Sequence, residues 1–293
     1  MGRSGRRRGS RTPGKGRPGG PAGGAPASSG RRPPGPVVWA GALPTQVEAR
    51  AGEPPCPQAV LRLALRLFAG LVTLALVAGA AATVYLVQLP GVGGAMARVQ
   101  ALVRAHGGSY SPLPLPAKLA DAVVAVEDEH FYSNAFVNVF DGVARAALAS
   151  LHGSGDPGGS TIDQQLAKQL YPSRPGTGTT LRQAGLGVKL ALGYPRAQVL
   201  DMYLNVVYFG NGYWGYRAAA EGYFHLPPAR LDWAQAALLA GLLQAPSAYD
   251  PLTHLQLARE RQHQVLARLV ANHYLSSAGA AAAYRAPLGL ARG

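Results

Sequence analysis

The chain has 293 residues and a formal charge of +14, with 48% hydrophobic and only 14% charged residues. That composition excludes a wholly disordered protein and is enough for one sizeable core. A single cysteine, Cys56, excludes an intramolecular disulfide. The charge is a tail property: residues 1–66 hold 12 Lys/Arg and 2 Asp/Glu, and the remainder 16 and 12.

Residues 1–55 are rich in Gly, Pro, Arg and Ser and cannot bury enough apolar area to offset ordering entropy, which predicts a disordered basic tail. No aromatic residues interleave with its arginines, so nucleic acid is not the expected partner. A solvated segment facing anionic lipid is. The stretch from Leu67 to Gln88 then runs for 22 residues without a charge. At about 1.5 Å per residue it crosses about 30 Å of hydrocarbon. With Arg62 and Arg66 in front, it predicts a single transmembrane anchor over 62–89, amino terminus in the cytoplasm and the larger part outside. A cleaved signal peptide would need a shorter basic region and a shorter apolar run.

Pro90 ends the span. Residues 90–115 read as an interfacial segment and linker. Met96, Val99, Leu102 and Val103 form a short helical stripe that fits either the bilayer interface or a cap over the domain. His106 to Pro116 holds Gly-Gly and three prolines, the composition of a linker.

Residues 116–275 read as one all-α domain, with 276–293 as a C-terminal tail. Leu119, Ala122, Val123 and Val126 recur at helical spacing; so do Ile162, Leu166, Gln169 and Leu170, then Val199, Leu200, Tyr203, Leu204 and Val207. Asp232 with Gln235 predicts a capping box opening an Ala/Leu-rich helix to about Leu243. Leu255, Ala258, Val265, Leu266 and Leu269 predict a last amphipathic helix. No run alternates at period two for long enough to make a substantial sheet.

Two motifs carry chemistry. The first is Glu127-Asp128-Glu129-His130-Phe131 at the end of an apolar helix. Glu127 follows Leu119 and Val123 at helical spacing, so its carboxylate lies beside the apolar stripe. Partial burial there raises a carboxyl pKa toward the range of a general base. The second is Gly158-Gly159-Ser160-Thr161-Ile162-Asp163-Gln164-Gln165, with Lys168 three residues on. Ser160 is the expected N-cap of a helix beginning near Thr161, whose first N–H groups favour an anion. Gln164, Gln165 and Lys168 offer two amides and a cation to a large polar, anionic substrate.

These strings resemble the glycosyltransferase family 51 domain of class A penicillin-binding proteins and monofunctional peptidoglycan transglycosylases. Its first motif, Glu-Asp-x-x-Phe, matches at Glu127, Asp128 and Phe131, and its second at every specified position from Gly158 to Gln165. The fourth matches at Tyr203-Leu204-Asn205 and Tyr208-Phe209-Gly210, and the fifth from Ala236 to Leu242 with Gln244-Ala245-Pro246-Ser247. The similarity covers about 116–270. It implies a lysozyme-like helical fold that polymerises lipid II on the outer face of the cytoplasmic membrane by inverting β-1,4 transfer. By the resemblance Glu127 is the base. Asp128, Phe131, Ser160, Thr161, Gln164, Gln165, Lys168, Arg174, Arg182, Asn205 and Tyr208 are expected to bind substrate. The partners implied are lipid II with its growing strand, the membrane, and other cell-wall synthesis proteins.

The third family motif, Arg-Lys-x-x-Glu, departs: Thr179, Thr180 and Gln183 stand at its Arg, Lys and Glu positions. The second functional glutamate of the family is thus Gln183, which cannot ionise. Asn134 and Phe136 stand where His and Gly are usual. The departures leave open a weak or specialised enzyme and a lipid II binder without turnover. A glycan hydrolase with a single acid is a further reading, against which the second motif argues. No Ser-x-x-Lys occurs, so no transpeptidase is expected. No His/Cys/Asp cluster has metal spacing and no cofactor is assigned; a divalent cation, Mg2+ or Mn2+, bound with the substrate pyrophosphate stays open.

Overall fold

The computed structural model describes residues 57–110, 114–132, 160–173 and 178–291. The basic tail over 1–55, Gly158-Gly159, Arg174, Asn134 and Phe136 lie outside the described residues. Among the described residues the chain is helical, with one isolated antiparallel bridge between Tyr208 and Trp214.

Helix α1, Pro57–Gln88, contains a span from Val60 to Gln88 that is long and apolar enough to cross a membrane, and the rest of the protein covers none of its apolar window. Its last turn differs, because Tyr85 and Leu86 are half-buried and Leu89 just beyond is buried. The stripe at Met96 to Val103 is realised as α2, Ala95–Ala105, which buries Val99 and Val103 against the domain.

The domain proper starts at α3, Ala117–Glu127, whose stripe residues Leu119, Ala122 and Val123 are fully buried. It continues with α4, Ile162–Leu170; α5, Thr179–Gly193; α6, Arg196–Val206; and α7, Gly215–Phe224. A 3-10 turn at Pro228–Arg230 leads to α8, Trp233–Leu242, then α9, Leu255–Ala271, and α10, Ser277–Arg285.

Helix α8 is apolar all round and buried from Ala234 to Leu242, the pattern of a central core helix. The capping box forms: Gln235 N donates to Asp232 Oδ1 at 2.8 Å, and Asp232 N to Gln235 Oε1 at 3.1 Å. α8 packs on α3 and α9, while α4 packs on α5 and α6. The end of α3 and the start of α4 therefore bring the two halves of the core together.

The segment expected to be a C-terminal tail over 276–293 carries α10, which packs on α9 and α8. The Ala291 amide donates to Tyr223 O at 2.7 Å, and Gln235 Nε2 donates to Leu288 O at 3.0 Å. Alanine spacing alone shows no strong amphipathic stripe there, so this helix is not evident from the sequence.

Candidate active site

Glu127 is the last residue of α3, following the buried run Val123–Ala125. That helix end leaves its carboxylate half-buried and facing α4. Gln165 Nε2 donates to Glu127 Oε2 at 2.7 Å and to Ser160 O at 3.2 Å. The other end of the same amide accepts from the fully buried Tyr203, whose hydroxyl lies 2.7 Å from Gln165 Oε1. Burial pushes the Glu127 carboxyl above its ordinary value; the Gln165 hydrogen bond and the positive charge of Arg261 oppose this, and Asp128 adds to it.

The helix start at α4 differs from the sequence expectation. Thr161, not Ser160, is the N-cap: its backbone is extended and its hydroxyl accepts from Gln164 N at 3.4 Å. The first amide, Ile162 N, is taken by Asp128 Oδ2 at 3.3 Å. Two of the N–H groups expected to face an anion are thus engaged within the protein. Asp128 and Thr161 are buried and join the first motif to the second rather than facing outward.

Phe131 is also a supporting residue. It is fully buried, with the Arg196 guanidinium over its ring at 4.0 Å and Arg196 Nε donating to its carbonyl at 3.1 Å. The same guanidinium forks onto Asp163 at 2.8 and 2.7 Å. Lys168 on α4 is exposed, and Gln164 one turn earlier is half-buried at the contact with α5.

Gln183 and Arg182 lie in the first turns of α5, both half-buried. One turn after Gln183, Gly187 packs on the start of α4, where a Cβ would sit 3.1 Å from both Cγ and N of Gln164. Gln183 therefore shares the face of α5 that meets the second motif. The Arg182 Nε is buried without a hydrogen-bond partner among the described residues.

Asn205 and Tyr208 are not brought to Glu127. Asn205 is buried and turned about 200° around α6 from Tyr203. Its amide donates to the carbonyl and carboxylate of Asp201, at 2.8 and 3.0 Å. Tyr208 packs against Trp214 and its hydroxyl accepts from Gly212 N at 3.1 Å, closing the loop between α6 and α7. Gly215, the first residue of α7, has φ +79 and a Cβ there would meet Asn205 O at 2.6 Å, so the position requires glycine. Tyr208 thus ties the loop, while the Asn205 side chain ties back to Asp201 within its own helix.

Sequence reasoning did not single out Tyr203, Arg261, Asp163 or Arg196 as site residues. Tyr203 sits in an apolar stripe where only its hydroxyl hints at a polar task. Asp163 occupies an unspecified motif position, yet an acid on the buried side of an amphipathic helix needs a cation, which is a usable signal. Arg261 comes from α9 and no local pattern points to it. The assembled site offers a desolvated carboxylate, an oriented amide and the positive charge of Arg261, a set suited to taking a proton.

The sequence model of the family described as Transglycosylase matches residues 99–270, more than half of the chain. The chain belongs to the transglycosylase family. A Cupriavidus necator protein with transglycosylase in its name is 37% identical over 167 residues, covering 56% of this chain and 72% of that protein. Penicillin-binding protein 2a of Streptococcus pneumoniae is 38% identical over 170 residues, covering 57% of this chain and 23% of that protein. The transglycosylase match thus spans less than a quarter of that longer relative. The crystal structure of penicillin-binding protein 1A from Haemophilus influenzae superposes with a TM-score of 0.32 at 27% identity, covering 45% of this chain and 16% of that one.

Proposed function

We propose that this protein is a membrane-anchored peptidoglycan glycosyltransferase that polymerises lipid II into β-1,4 glycan strands. The observation that carries the reading is the half-buried Glu127 carboxylate held by the Gln165 amide, with Tyr203 behind it, where two family motifs meet. In the reaction the 4-hydroxyl oxygen of the acceptor GlcNAc attacks the donor's anomeric carbon. The hydroxyl proton passes to Glu127, and the bond to the undecaprenyl pyrophosphate breaks with inversion. A carboxyl raised by burial is a stronger base when ionised. Lys168, Arg182 and Arg174 are the cations assigned to the leaving pyrophosphate, with Ser160 and Gln164 on the donor sugars. α1 is the membrane span, with the tail in the cytoplasm and the domain outside.

Among the described residues no three His, Cys, Asp or Glu side chains gather as metal ligands. Mg2+ or Mn2+ on the pyrophosphate would be part of the substrate.

Gln183 supports a second reading, a lipid II-binding module without turnover. One assay separates the two: polymerisation of lipid II, with and without divalent cation, by the full chain, Glu127→Gln and Gln183→Glu. A glycosyltransferase makes strands, and Glu127→Gln slows it by about a thousandfold. Lipid II binding without strands, unchanged in Glu127→Gln, selects the binder. Activity gained in Gln183→Glu marks a lapsed second acid. Soluble muropeptides released from purified walls would instead indicate a hydrolase.

A further inference from the structure

Between α1 and α2 the chain reads Leu89-Pro90-Gly91-Val92-Gly93-Gly94, the composition of a loose joint. The structure pins it. Each carbonyl from Leu89 to Gly93 lies within hydrogen-bond reach of a domain side chain, with the single Tyr194 proton shared between the last two. Lys189 Nζ donates to Leu89 O at 2.8 Å, Pro90 O at 3.1 Å and, in the last turn of α1, Leu86 O at 3.0 Å. The Tyr194 hydroxyl lies 2.8 Å from Val92 O and 3.1 Å from Gly93 O, and the Tyr171 hydroxyl reaches Gly91 O more weakly at 3.5 Å.

An ammonium has three N–H donors, and here each has a carbonyl. One, Leu86 O, belongs to the last turn of a long apolar helix and another, Leu89 O, follows directly on its end, where the dipole is negative. One turn before Lys189, α5 carries Gly185. A Cβ there would meet Leu89 Cδ1 at 2.5 Å and Tyr85 Cε1 at 3.2 Å, so the missing side chain lets α1 rest directly on α5. Tyr194 and Tyr171 are the C-caps of α5 and α4, the helices that carry Gln183 and the second motif.

We infer that Lys189, Tyr194 and Tyr171 form a latch fixing the exit of α1 against the helices of the site, and that Lys189 is a positioning residue for a lipid-linked diphosphate presented from the bilayer. The part concerning substrate rests on the proposed function; the latch itself does not. A substrate tethered in the membrane arrives at a height set by its own headgroup, so the domain must be held at a matching height and tilt. A freely swivelling joint would lose that match, while a substrate free in solution would not notice.

The test uses the full chain in nanodiscs of phosphatidylcholine and phosphatidylglycerol, in a Cys56→Ser background. Spin labels are placed at Leu76→Cys on α1 and Gln256→Cys on α9. The parent gives one narrow distance distribution; Lys189→Met broadens it, and so does Tyr194→Phe, which removes only a hydroxyl and keeps the test decisive should Lys189→Met fold poorly. In parallel, the variants lose about tenfold in rate on full-length lipid-linked substrate in bilayers. They stay within about twofold of the parent on a short-chain, water-soluble analogue in detergent. A distribution that stays narrow in both variants overturns the latch. Equal losses on both substrates overturn the positioning role. Should the parent polymerise neither substrate, the proposed function falls, while the distances still decide whether the latch exists.

Discussion

Tyr203 donates its hydroxyl to Gln165 Oε1 at 2.7 Å, from a position on α6 with no exposure to solvent. This bond decides which end of the amide Gln165 turns toward Glu127. With the oxygen engaged, the NH2 is left for the carboxylate at 2.7 Å. Reversing the amide would put an oxygen against a carboxylate and leave both without a donor.

Removing the hydroxyl should therefore act through Gln165. Tyr203→Phe keeps the ring's packing and leaves a buried acceptor unpaired, a loss of about 1 kcal/mol in stability. The polymerisation rate falls about tenfold with lipid II binding changed little, because orientation of the base is lost rather than substrate contact. Thermal melting and a lipid II titration on the same preparation check both halves.

In the proposed mechanism Glu127 takes the proton only when ionised. Its carboxyl is raised by burial, so the acid limb of the rate profile lies above the ordinary glutamate value of 4.5. The positive charge of Arg261 holds it down from a still higher value. Arg261→Met removes that charge and moves the acid limb to higher pH, with the plateau rate at alkaline pH largely kept. A profile of kcat against pH for both proteins reads this directly, and coincident acid limbs would rule out the electrostatic link.

The same raised carboxyl has a stability consequence of definite sign. The folded protein holds the Glu127 proton more tightly than the unfolded chain. Stability contributed by the protonated form is present below the ordinary value and lost as pH rises through the raised one. Glu127→Gln carries no such loss, so it melts higher than the parent at pH 7. The gap closes in buffers below the ordinary glutamate value.

Asp163 and Arg196 form a shielded ion pair, 2.7 Å apart with little exposure on either side. Arg196→Met leaves a buried carboxyl without its cation and Phe131 without its guanidinium cover. A destabilisation of about 3 kcal/mol follows. Chemical denaturation of the parent and the variant measures it. Arg196→Met with Asp163→Leu should recover much of the loss, since an apolar pair of similar volume avoids the unpaired charge.

Most of the helices were legible because their apolar positions repeat at helical spacing and end on recognisable caps. Leu119, Val123 and Val126 announce α3, and Asp232 with Gln235 announces α8. α10 was not legible, since a run of alanines carries little amphipathic contrast and the segment after it is tied at Leu288 to Gln235, 53 residues earlier. Within the site, the motif around Glu127 and Gln165 was readable from spacing. The separation of its members into outward and supporting residues was not. Asp128 and Phe131 stand beside Glu127 in sequence yet point into the core, because the chain turns just after α3 and Asp128 caps the next helix in place of a ligand. Arg261 and Tyr203 reach the site from distant helices, and only the packing of α9 and α6 brings them there.

The closing segment past α9 sets a practical limit on shortened versions of this molecule. The transglycosylase match stops at residue 270, but Leu288 supplies the acceptor for the buried Gln235 amide and Ala291 is hydrogen-bonded to Tyr223. Trimming to the family boundary would strip the partner from the side chain that also caps α8, loosening the central helix against which Glu127's own helix rests.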